Sequence, residues 1–329
     1  MRITFFSMRT FVLGLFISSV FISCSSDDDS SEDVGNWIKS TVFDGAPRSS
    51  AASFSIGNFG YVGTGYNGYD YLNDFWQYDF NGGFWVQKAS FPGQARSSAS
   101  TFVVGENGYL GTGYNGVDGL KDFYKYSPID NEWTPIADFE GSPRRASVGF
   151  NSDVAGYIGS GFDGNNDKKD FWKYDPAEDK WSEQYGFGGE KRREAVTFTI
   201  EDKVYFGTGS SNGINLKDFW VFNTTTEVWT KLKNLDDDDD YSIVRSNATA
   251  FSLNGYGYVC NGNGANTVWE YTPATDKWER KQAFEGAFRL DAVGIDNGIS
   301  AFVLLGKSST YYFDDMYEFK PFDEYDDED

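Results

Sequence analysis

Histidine is absent from this chain of 329 residues, and cysteine occurs only twice. Without an imidazole, Ser-His-Asp catalysis, Cys-His catalysis and histidine-bound zinc are excluded. The two cysteines, Cys24 and Cys260, provide no disulfide framework, and we expect Cys260 to be a free, buried thiol. A phosphate-binding loop of the Gly-x-x-x-x-Gly-Lys-Ser type is also missing. Histidine-dependent catalysis and nucleotide binding through a phosphate-binding loop are therefore excluded.

Basic residues are scarce as well. The chain has 28 Lys and Arg against 50 Asp and Glu, which gives a formal net charge of −22. No basic stripe could neutralise phosphates, so nucleic acid is excluded as a partner, and an anionic bilayer surface repels the chain. The acidic residues 323–329 are predicted to form a solvated tail.

Tryptophan recurs at a nearly constant interval, with successive steps of 48, 48, 48, 48 and 49 residues. A second aromatic series keeps this step, so the period belongs to a whole structural unit. A period near 50 residues predicts the blades of a β-propeller, and six copies predict six blades. The two series are Trp37, Trp85, Trp133, Trp181, Trp229 and Trp278, and Trp76, Tyr124, Trp172, Trp220, Trp269 and Tyr317.

Every unit carries one arginine, and a glycine follows it 17 residues later. Four units have a second glycine two positions earlier, whereas Cys260 and Leu304 replace it in the last two. Each unit contains four short segments of strand type, small residues filling the first and large aromatics the later ones. This gradient is typical of blades that taper towards an axis. The arginines are Arg48, Arg96, Arg144, Arg192, Arg245 and Arg289.

The motif residues keep one order, which in the third unit is Arg144, Gly159, Gly161, Tyr174-Asp175-Pro176 and Trp181. This order resembles the kelch repeat of β-propellers over residues 37–322. A Thr or Ser separates the two glycines, which are adjacent in the usual repeat, so the chain is similar to a divergent bacterial branch, of the type of kelch lipoproteins of the Bacteroidota. The resemblance implies an all-β, six-bladed propeller of four-stranded blades. The two-His, two-Tyr copper site of galactose oxidase propellers is excluded.

The ends of the repeat array predict how the ring closes. The segment from Trp37 to Val42 reads as a fourth strand with no blade before it, and the unit from Arg289 to Phe319 lacks a fourth strand. We therefore expect the N-terminal strand to complete the last blade. Such a closure leaves no long strand edge exposed.

The N-terminus resembles a lipoprotein signal peptide. Arg2 and Arg9 precede or flank a short apolar run over residues 11–22, and Ser23-Cys24 follows. We expect a signal over residues 1–23, starting at Met1 or Met8, an acylated Cys24, and an acidic disordered tether over 24–36. The chain is thus predicted to be exported and lipid-anchored to the outer membrane, and the tether is similar to stretches that direct lipoproteins to the cell surface. An ordinary cleaved signal is the alternative.

One face of the predicted disk concentrates the candidate ligand-binding residues. The six repeat arginines could grip an anionic ligand, or each could pair with a repeated aspartate and lock blades together, which is the favoured reading because it recurs in every blade. Function is expected where the repeat breaks, at Arg145, Arg193, Glu194 and Asp291. If the protein is an enzyme, Glu194 and Asp291 are the acid/base candidates. The repeated aspartates are Asp74, Asp122, Asp170, Asp218 and Asp315.

Calcium is the one cofactor that the sequence brings into consideration. The loop over residues 234–242 contains five consecutive aspartates, which do not alternate as a calcium loop requires, so a solvated loop is favoured. Asp163, Asn165 and Asp167 have suitable spacing, but no Glu stands at the twelfth position. No metal site and no other cofactor are predicted.

Three functional hypotheses remain open. The first is a monomeric, non-catalytic binding or scaffold protein of the cell envelope that presents one propeller face to a glycan or a protein partner and touches the membrane through its lipid alone. The second is a carbohydrate-active enzyme resembling the kelch-type sialic acid mutarotases, with Glu194 and Asp291 indispensable. The third is a purely structural envelope protein. Fold resemblance does not decide among them.

Overall fold

The computed structural model describes residues 34–263, 265–326 and 328. The predicted signal peptide, the acylation site at Cys24 and residues 24–33 of the tether lie outside this part of the chain. The described residues form an all-β structure. No helix among them is long and apolar enough to cross a membrane.

Six four-stranded antiparallel sheets follow one another along the chain as the blades of a propeller. In each blade we call the strands inner, second, third and outer, in that order. Their bounds are Ala52–Ile56, Phe59–Gly63, Phe75–Asp79 and Phe84–Gln87 in blade 1; Ser100–Val104, Asn107–Gly111, Phe123–Ser127 and Glu132–Ile136 in blade 2; Val148–Asn151, Gly156–Gly159, Phe171–Asp175 and Lys180–Gln184 in blade 3; Val196–Ile200, Lys203–Gly207, Trp220–Asn223 and Val228–Lys231 in blade 4; Thr249–Leu253, Tyr256–Cys260, Val268–Thr272 and Lys277–Lys281 in blade 5; and Val293–Asp296, Ala301–Leu304, Met316–Lys320 and Asn36–Lys39 in blade 6. Two short hairpins pair Ser210–Ser211 with Ile214–Asn215 and Lys307–Ser308 with Tyr311–Tyr312.

The N-terminal strand closes the ring, as the sequence predicts. Asn36–Lys39 pairs antiparallel with the third strand of blade 6, and Trp37 lies opposite Phe319. Trp37 is fully buried, 4.9 Å from the Phe284 ring and 4.5 Å from the Phe319 ring. The strand ends at Lys39, before the predicted Val42. Both chain ends therefore leave the same blade on the same face of the disk.

We call that face the lower face. The opposite, upper face holds the entry to every inner strand and the loop between each second and third strand. Small residues let the six inner strands approach one another around the axis. Their hydroxyls reach the free carbonyls of the neighbouring inner strand, as Thr101 Oγ1 does to Ser53 O at 2.6 Å and Ser252 Oγ does to Thr199 O at 2.6 Å. These bonds satisfy strand edges that would otherwise have no partner strand.

The two departures from the Gly-x-Gly pattern have a packing reason. In blade 3, a Cβ added at Gly159 would lie 2.0 Å from the Phe171 ring of the third strand, so only glycine fits beside that ring. Blade 5 instead pairs Cys260 with Val268, and blade 6 pairs Leu304 with Met316, all four buried. Glycine faces a large ring, and a larger residue faces a smaller partner, which keeps the packed volume constant. Cys260 is a buried free thiol, and burial raises its pKa to about 12.

Candidate functional site

The six repeat arginines are buried inside the blades. In blade 3, Arg144 Nη1 and Nη2 donate to the two carboxylate oxygens of Asp170 at 2.9 and 2.8 Å. Arg144 Nη1 also donates to Ser160 O at 2.9 Å, and its guanidinium lies 4.9 Å from the Phe139 ring centroid. Four more blades repeat the ion pair, as Arg48–Asp74, Arg96–Asp122, Arg192–Asp218 and Arg289–Asp315.

These ion pairs lie within one blade, whereas the sequence suggested pairs that join blades. The arginine backbone makes the link to the neighbour instead, because Arg144 O accepts a hydrogen bond from Gly113 N of blade 2 at 2.8 Å. None of the six arginine side chains lines the axial pocket described below. Their guanidinium N–H groups are used in hydrogen bonds within the blades.

Two opposed effects act on the pKa of the aspartates in these ion pairs. Burial by itself would raise the pKa of Asp170, but hydrogen bonds from Arg144 and Trp172 and the charge of Arg144 outweigh it and lower the pKa below its usual value. An aspartate whose pKa is lowered on folding stabilises the fold above its unfolded pKa of about 3.9. That stabilisation is lost as the pH falls through the lowered pKa.

Blade 5 lacks the arginine–aspartate ion pair that the other five blades have. Its loop carries no aspartate, and Arg245 donates to Asn261 O at 2.9 Å, to Ser242 O at 2.6 Å and to Thr267 Oγ1 at 2.7 Å. Burial without a carboxylate lowers the pKa of Arg245 to about 10. The Trp269 Nε1 group, whose counterparts in three other blades donate to the aspartate, is buried without a hydrogen-bond partner.

A closed ring of backbone hydrogen bonds surrounds the axis on the upper face. One residue of each blade donates its N–H to the carbonyl of its counterpart in the preceding blade, at 2.8 to 3.3 Å. All six adopt left-handed φ values, between 52° and 57°. This throat ring consists of Ser50, Ser98, Ala146, Glu194, Asn247 and Asp291. Because the backbone is fixed, the side chains at these positions are presented at defined points around the axis.

The axial pocket, a cavity of about 320 Å³, lies at the throat ring. The structure brings to it the four residues that the sequence singled out as breaks in the repeat: Arg145, Arg193, Glu194 and Asp291. The rest of its lining includes Ser50, Ser98, Ser147, Asn247 and Lys307. Its size lies at the lower end of the range of small-molecule sites, which begins at about 300 Å³.

One side of the pocket is polar and acidic. Asn247 Nδ2 donates to Asp291 Oδ1 at 2.7 Å, and Lys307 Nζ lies 3.6 Å from Asp291 Oδ2. Ser210 Oγ donates to Glu194 Oε2 at 3.4 Å. Burial and the nearby charge of Asp291 raise the pKa of Glu194 above its usual value, against the opposing charge of Arg193. Blades 4, 5 and 6 contribute this side.

Beside Arg145 and Arg193, which line the pocket, a series of aromatic rings in edge-to-face or tilted contact runs from blade 6 through blades 1 and 2 to blade 3. Ring centroids lie 6.0 Å apart for Tyr312 and Tyr66, 4.8 Å for Tyr66 and Tyr71, and 5.9 Å for Tyr71 and Tyr114. The following contacts are those of guanidinium groups with rings, at 4.3 Å for Arg145 over Tyr114 and 4.0 Å for Arg193 over Phe162. We call this series the aromatic collar; its members are Tyr312, Tyr66, Tyr71, Tyr114, Arg145, Phe162 and Arg193.

The two arginines differ in how far they are neutralised. Arg193 Nε lies 2.9 Å from Asp167 Oδ1, and Asp167 also accepts from Asn212 N at 2.9 Å. Among the described residues, no carboxylate pairs with Arg145, whose guanidinium lies between the Tyr114 and Phe162 rings, 5.4 Å from the centroid of the latter. A guanidinium that contacts two rings at the edge of a pocket, with no carboxylate partner among the described residues, has donors available for an anion.

Sequence reasoning missed the aromatic collar and the role of Asp167. The signal was present, because the position 18 residues after each repeat arginine also breaks the pattern. It is Tyr66, Tyr114, Phe162, Ser210, Asn263 and Lys307 in the six blades. The series is aromatic in blades 1 to 3 and polar in blades 4 to 6.

The residues considered for calcium do not converge. Asp163 Oδ1 accepts hydrogen bonds from Asn165 N and Asn166 N at 2.9 and 2.7 Å, which makes it the organiser of its own turn, and Asp167 faces Arg193. In the aspartate loop, Asp236 Oδ2 accepts from Lys217 Nζ at 3.0 Å. Among the described residues, no group of three or more acidic or Cys side chains is arranged to hold a metal ion.

A second cavity, of about 630 Å³, opens below the throat and is lined by inner-strand residues. Its one carboxylate is Asp296, whose pKa is raised by burial to about 6. Backbone N–H groups of Ser252 and Gly298 hydrogen-bond to it, so Asp296 links blades 5 and 6. Residues that line this cavity form the hydrogen bonds between inner strands described above, and none of the lining side chains is a cation.

Comparisons with known proteins bear on the fold. No protein-family model matches the chain, and no curated protein matches it. Among solved structures, one titled "Structure of YjhT" is similar to this chain with a TM-score of 0.72 and 16% sequence identity, over 84% of this chain and 96% of that chain. At that identity the likeness concerns architecture alone. What it supports, together with the six sheets described above, is the six-bladed β-propeller fold.

Proposed function

We propose that this protein is a non-catalytic binding protein whose axial pocket takes a carboxylate-bearing sugar. The observation that carries the proposal is Arg145, a guanidinium without a carboxylate partner among the described residues, held between Tyr114 and Phe162 at the edge of the pocket. A guanidinium binds a carboxylate through two parallel hydrogen bonds, and a site with low water content strengthens them. An anionic ligand would supply Arg145 with the carboxylate partner that Asp167 provides for Arg193.

The remainder of the pocket suits a sugar ring rather than a bare anion. The collar tyrosines and Phe162 are half-buried, and Tyr114 and Phe162 contact Arg145, so a ligand held by that arginine would lie beside apolar ring surface suited to the C–H groups of a sugar. Within the pocket, Glu194, Asn247 and Asp291 supply acceptors and an amide for hydroxyl groups. Ring contact beside Arg145 and hydrogen bonding in the pocket would together give one orientation for the ligand, with its carboxylate towards Arg145.

The position of the N-terminal strand bears on how the pocket would be presented if the chain is anchored as the sequence predicts. The described chain begins on the lower face, and Gly35 N hydrogen-bonds to Asp323 O at 3.1 Å beside the third strand's exit. If Cys24 carries a lipid, the tether would hold the lower face towards the outer membrane. The axial pocket would then point away from the bilayer, where a glycan or the glycan of a partner protein can reach it.

The test compares sugars that differ only in the carboxylate. Galacturonic acid against galactose, glucuronic acid against glucose, and N-acetylneuraminic acid against its methyl ester are titrated into the purified protein by calorimetry. At least one acid should bind while its neutral counterpart binds about 30-fold more weakly or not at all, since an arginine left without its anion loses roughly 2 kcal/mol. Equal affinity within every pair, or no binding in any, contradicts the proposal and favours a structural role.

Glu194 supports a second candidate, proton transfer on the bound sugar. Its pKa is raised by burial and by Asp291, and a carboxyl with a raised pKa in a pocket is a general acid or base candidate.

We expect such an enzyme to interconvert the anomers of its sugar, and Glu194→Gln to lower the rate about 100-fold while leaving affinity unchanged. Anomer exchange followed by NMR checks this. With Glu194 as base, the rate should fall as pH decreases through its raised pKa; an exchange rate equal to that of sugar in buffer excludes the enzyme.

A further inference from the structure

Blade 5 has a gap in the rim of the upper face. Between its second and third strands, which end at Cys260 and begin at Val268, the loop is four residues shorter than in the other blades: 24 residues separate Arg245 from Trp269, against 28 between Arg48 and Trp76. In the other blades these additional residues form a hairpin tip that rises beside the mouth. Exposed side chains such as Tyr69, Val117 and Ile214 mark those tips.

The hairpins of the other blades contact one another around the mouth. A Cβ added at Gly68 of blade 1 would lie 2.7 Å from the Tyr312 ring of blade 6, and one at Gly116 of blade 2 would lie 2.6 Å from the Tyr71 ring of blade 1. Between blades 3 and 4, Asn212 N donates to Asp167 Oδ2. The rim is thus closed from blade 6 through blade 1 to blade 4, and a ligand in the pocket cannot extend sideways there.

At blade 5 the described residues of the short loop are mainly polar. Asn263 takes the place of the missing hairpin: its Oδ1 accepts from Ser246 N at 2.7 Å, a bond that a backbone carbonyl accepts in other blades. Its amide also exchanges hydrogen bonds with Asn215 of blade 4 at 3.3 Å. Lys307 of blade 6 stands on the other side of the gap. The polar half of the pocket, centred on Asn247, lies directly beside this opening because Asn247 belongs to the same blade.

Because of its short loop, blade 5 lacks the buried arginine–aspartate ion pair that stabilises the other five blades. The deletion removes the aspartate, so Arg245 is buried without a carboxylate and Trp269 Nε1 is left unpaired. Burying a charge or a donor without its partner is unfavourable by kilocalories per mole. Departures from a consistent framework occur where function requires them. The opening at blade 5 is therefore a feature of the site rather than an incidental shortening.

We propose that the axial pocket accepts the end of an acidic oligosaccharide, and that the sugar residues behind the terminal one leave through the gap at blade 5. The gap is bounded by Asn215, Asn263 and Lys307, whose amide and ammonium groups hydrogen-bond to hydroxyls of the second and third residues. This inference rests on the proposed function and adds the length of the ligand and its direction. A single sugar fills the pocket alone, and a longer chain gains contacts in the gap.

The experiment measures how affinity depends on ligand length. Two probe series are titrated into the full chain: galacturonic acid with trigalacturonic acid, and N-acetylneuraminic acid with 3′-sialyllactose, whose added residues are neutral. One variant closes the gap by inserting a copy of residues 115–118 of blade 2 after Asn263. A second, Asn215→Trp, fills it without lengthening the loop, and Val117→Trp makes a matched change at an exposed tip of blade 2.

We expect the longer probe of one series to bind about 10-fold more tightly than its monosaccharide. Both closing variants should reduce that ratio to about one and leave the monosaccharide affinity within about twofold, whereas Val117→Trp should preserve the ratio. If the insertion prevents folding, Asn215→Trp decides. A monosaccharide that binds with no gain from length, or a gain that Asn215→Trp leaves intact, overturns this inference alone. No binding of any probe overturns it together with the proposed function.

Discussion

Asp170→Ala should lower the free energy of unfolding by about 3 to 5 kcal/mol. Arg144 is fully buried and its guanidinium donates to both oxygens of the Asp170 carboxylate. The substitution leaves that charge in the interior without a counter-charge, and Trp172 Nε1 loses its acceptor at 2.8 Å as well. Urea denaturation followed by tryptophan fluorescence measures the loss.

Asp153→Ala provides the matched control in the same blade, since Asp153 is exposed and its removal should change stability by less than about 0.5 kcal/mol. Replacing both partners, as in Arg144→Met with Asp170→Leu, should recover much of the loss because no unpaired charge remains buried. A loss of under about 1 kcal/mol for Asp170→Ala would show that the ion pair is not part of what holds the blade together.

Arg145→Met should weaken the binding of an acidic sugar about 30-fold or more, which corresponds to roughly 2 kcal/mol, and should leave its neutral counterpart unaffected. The substitution keeps apolar contact with Tyr114 and Phe162 but removes the donors that face the carboxylate. Stability should change little, because Arg145 is half-buried and its side chain joins no ion pair among the described residues. Calorimetric titration of both sugars provides the comparison.

Lys203→Met is the control for charge, since Lys203 is exposed at the start of a second strand on the lower face and its loss changes the net charge by the same amount. Its affinity should equal that of the unchanged protein at physiological salt, where distant charges are screened. Equal affinities for Arg145→Met and Lys203→Met would remove Arg145 from the site.

The repeat explains why so much of the fold could be read from the sequence. Positions such as Trp181, Arg144 and Gly161 recur because the same side chain packs in the same place in each blade. The N-terminal strand around Trp37, which has no blade before it in the sequence, predicted the closure of the ring. Arg145 and Glu194 became candidates as breaks in this pattern, and both line the axial pocket. Positions that recur in every unit indicate the framework of the blade, whereas positions that break the repeat indicate the residues at the mouth of the propeller.

The parts that the sequence did not predict depend on contacts between blades. The edge-to-face contact of Tyr71 with Tyr114 and the pairing of Arg193 with Asp167 each join loops of neighbouring blades. Periodicity gives the position of a loop within its own blade but not the direction in which its side chains lean. The same limit applied to Asp170, for which spacing could not tell a partner in its own blade from one in the next.

The closing strand also sets an order on folding. Asn36–Lys39 pairs with Met316–Lys320, so the strand synthesised first must wait for nearly the last strand before it acquires a partner. Contacts of such sequence separation form slowly, because a long loop must close before they contribute. Until then blade 6 has three strands, and the nascent ring stays open at one seam. We therefore expect closure of the ring at blade 6 to be among the late steps of folding.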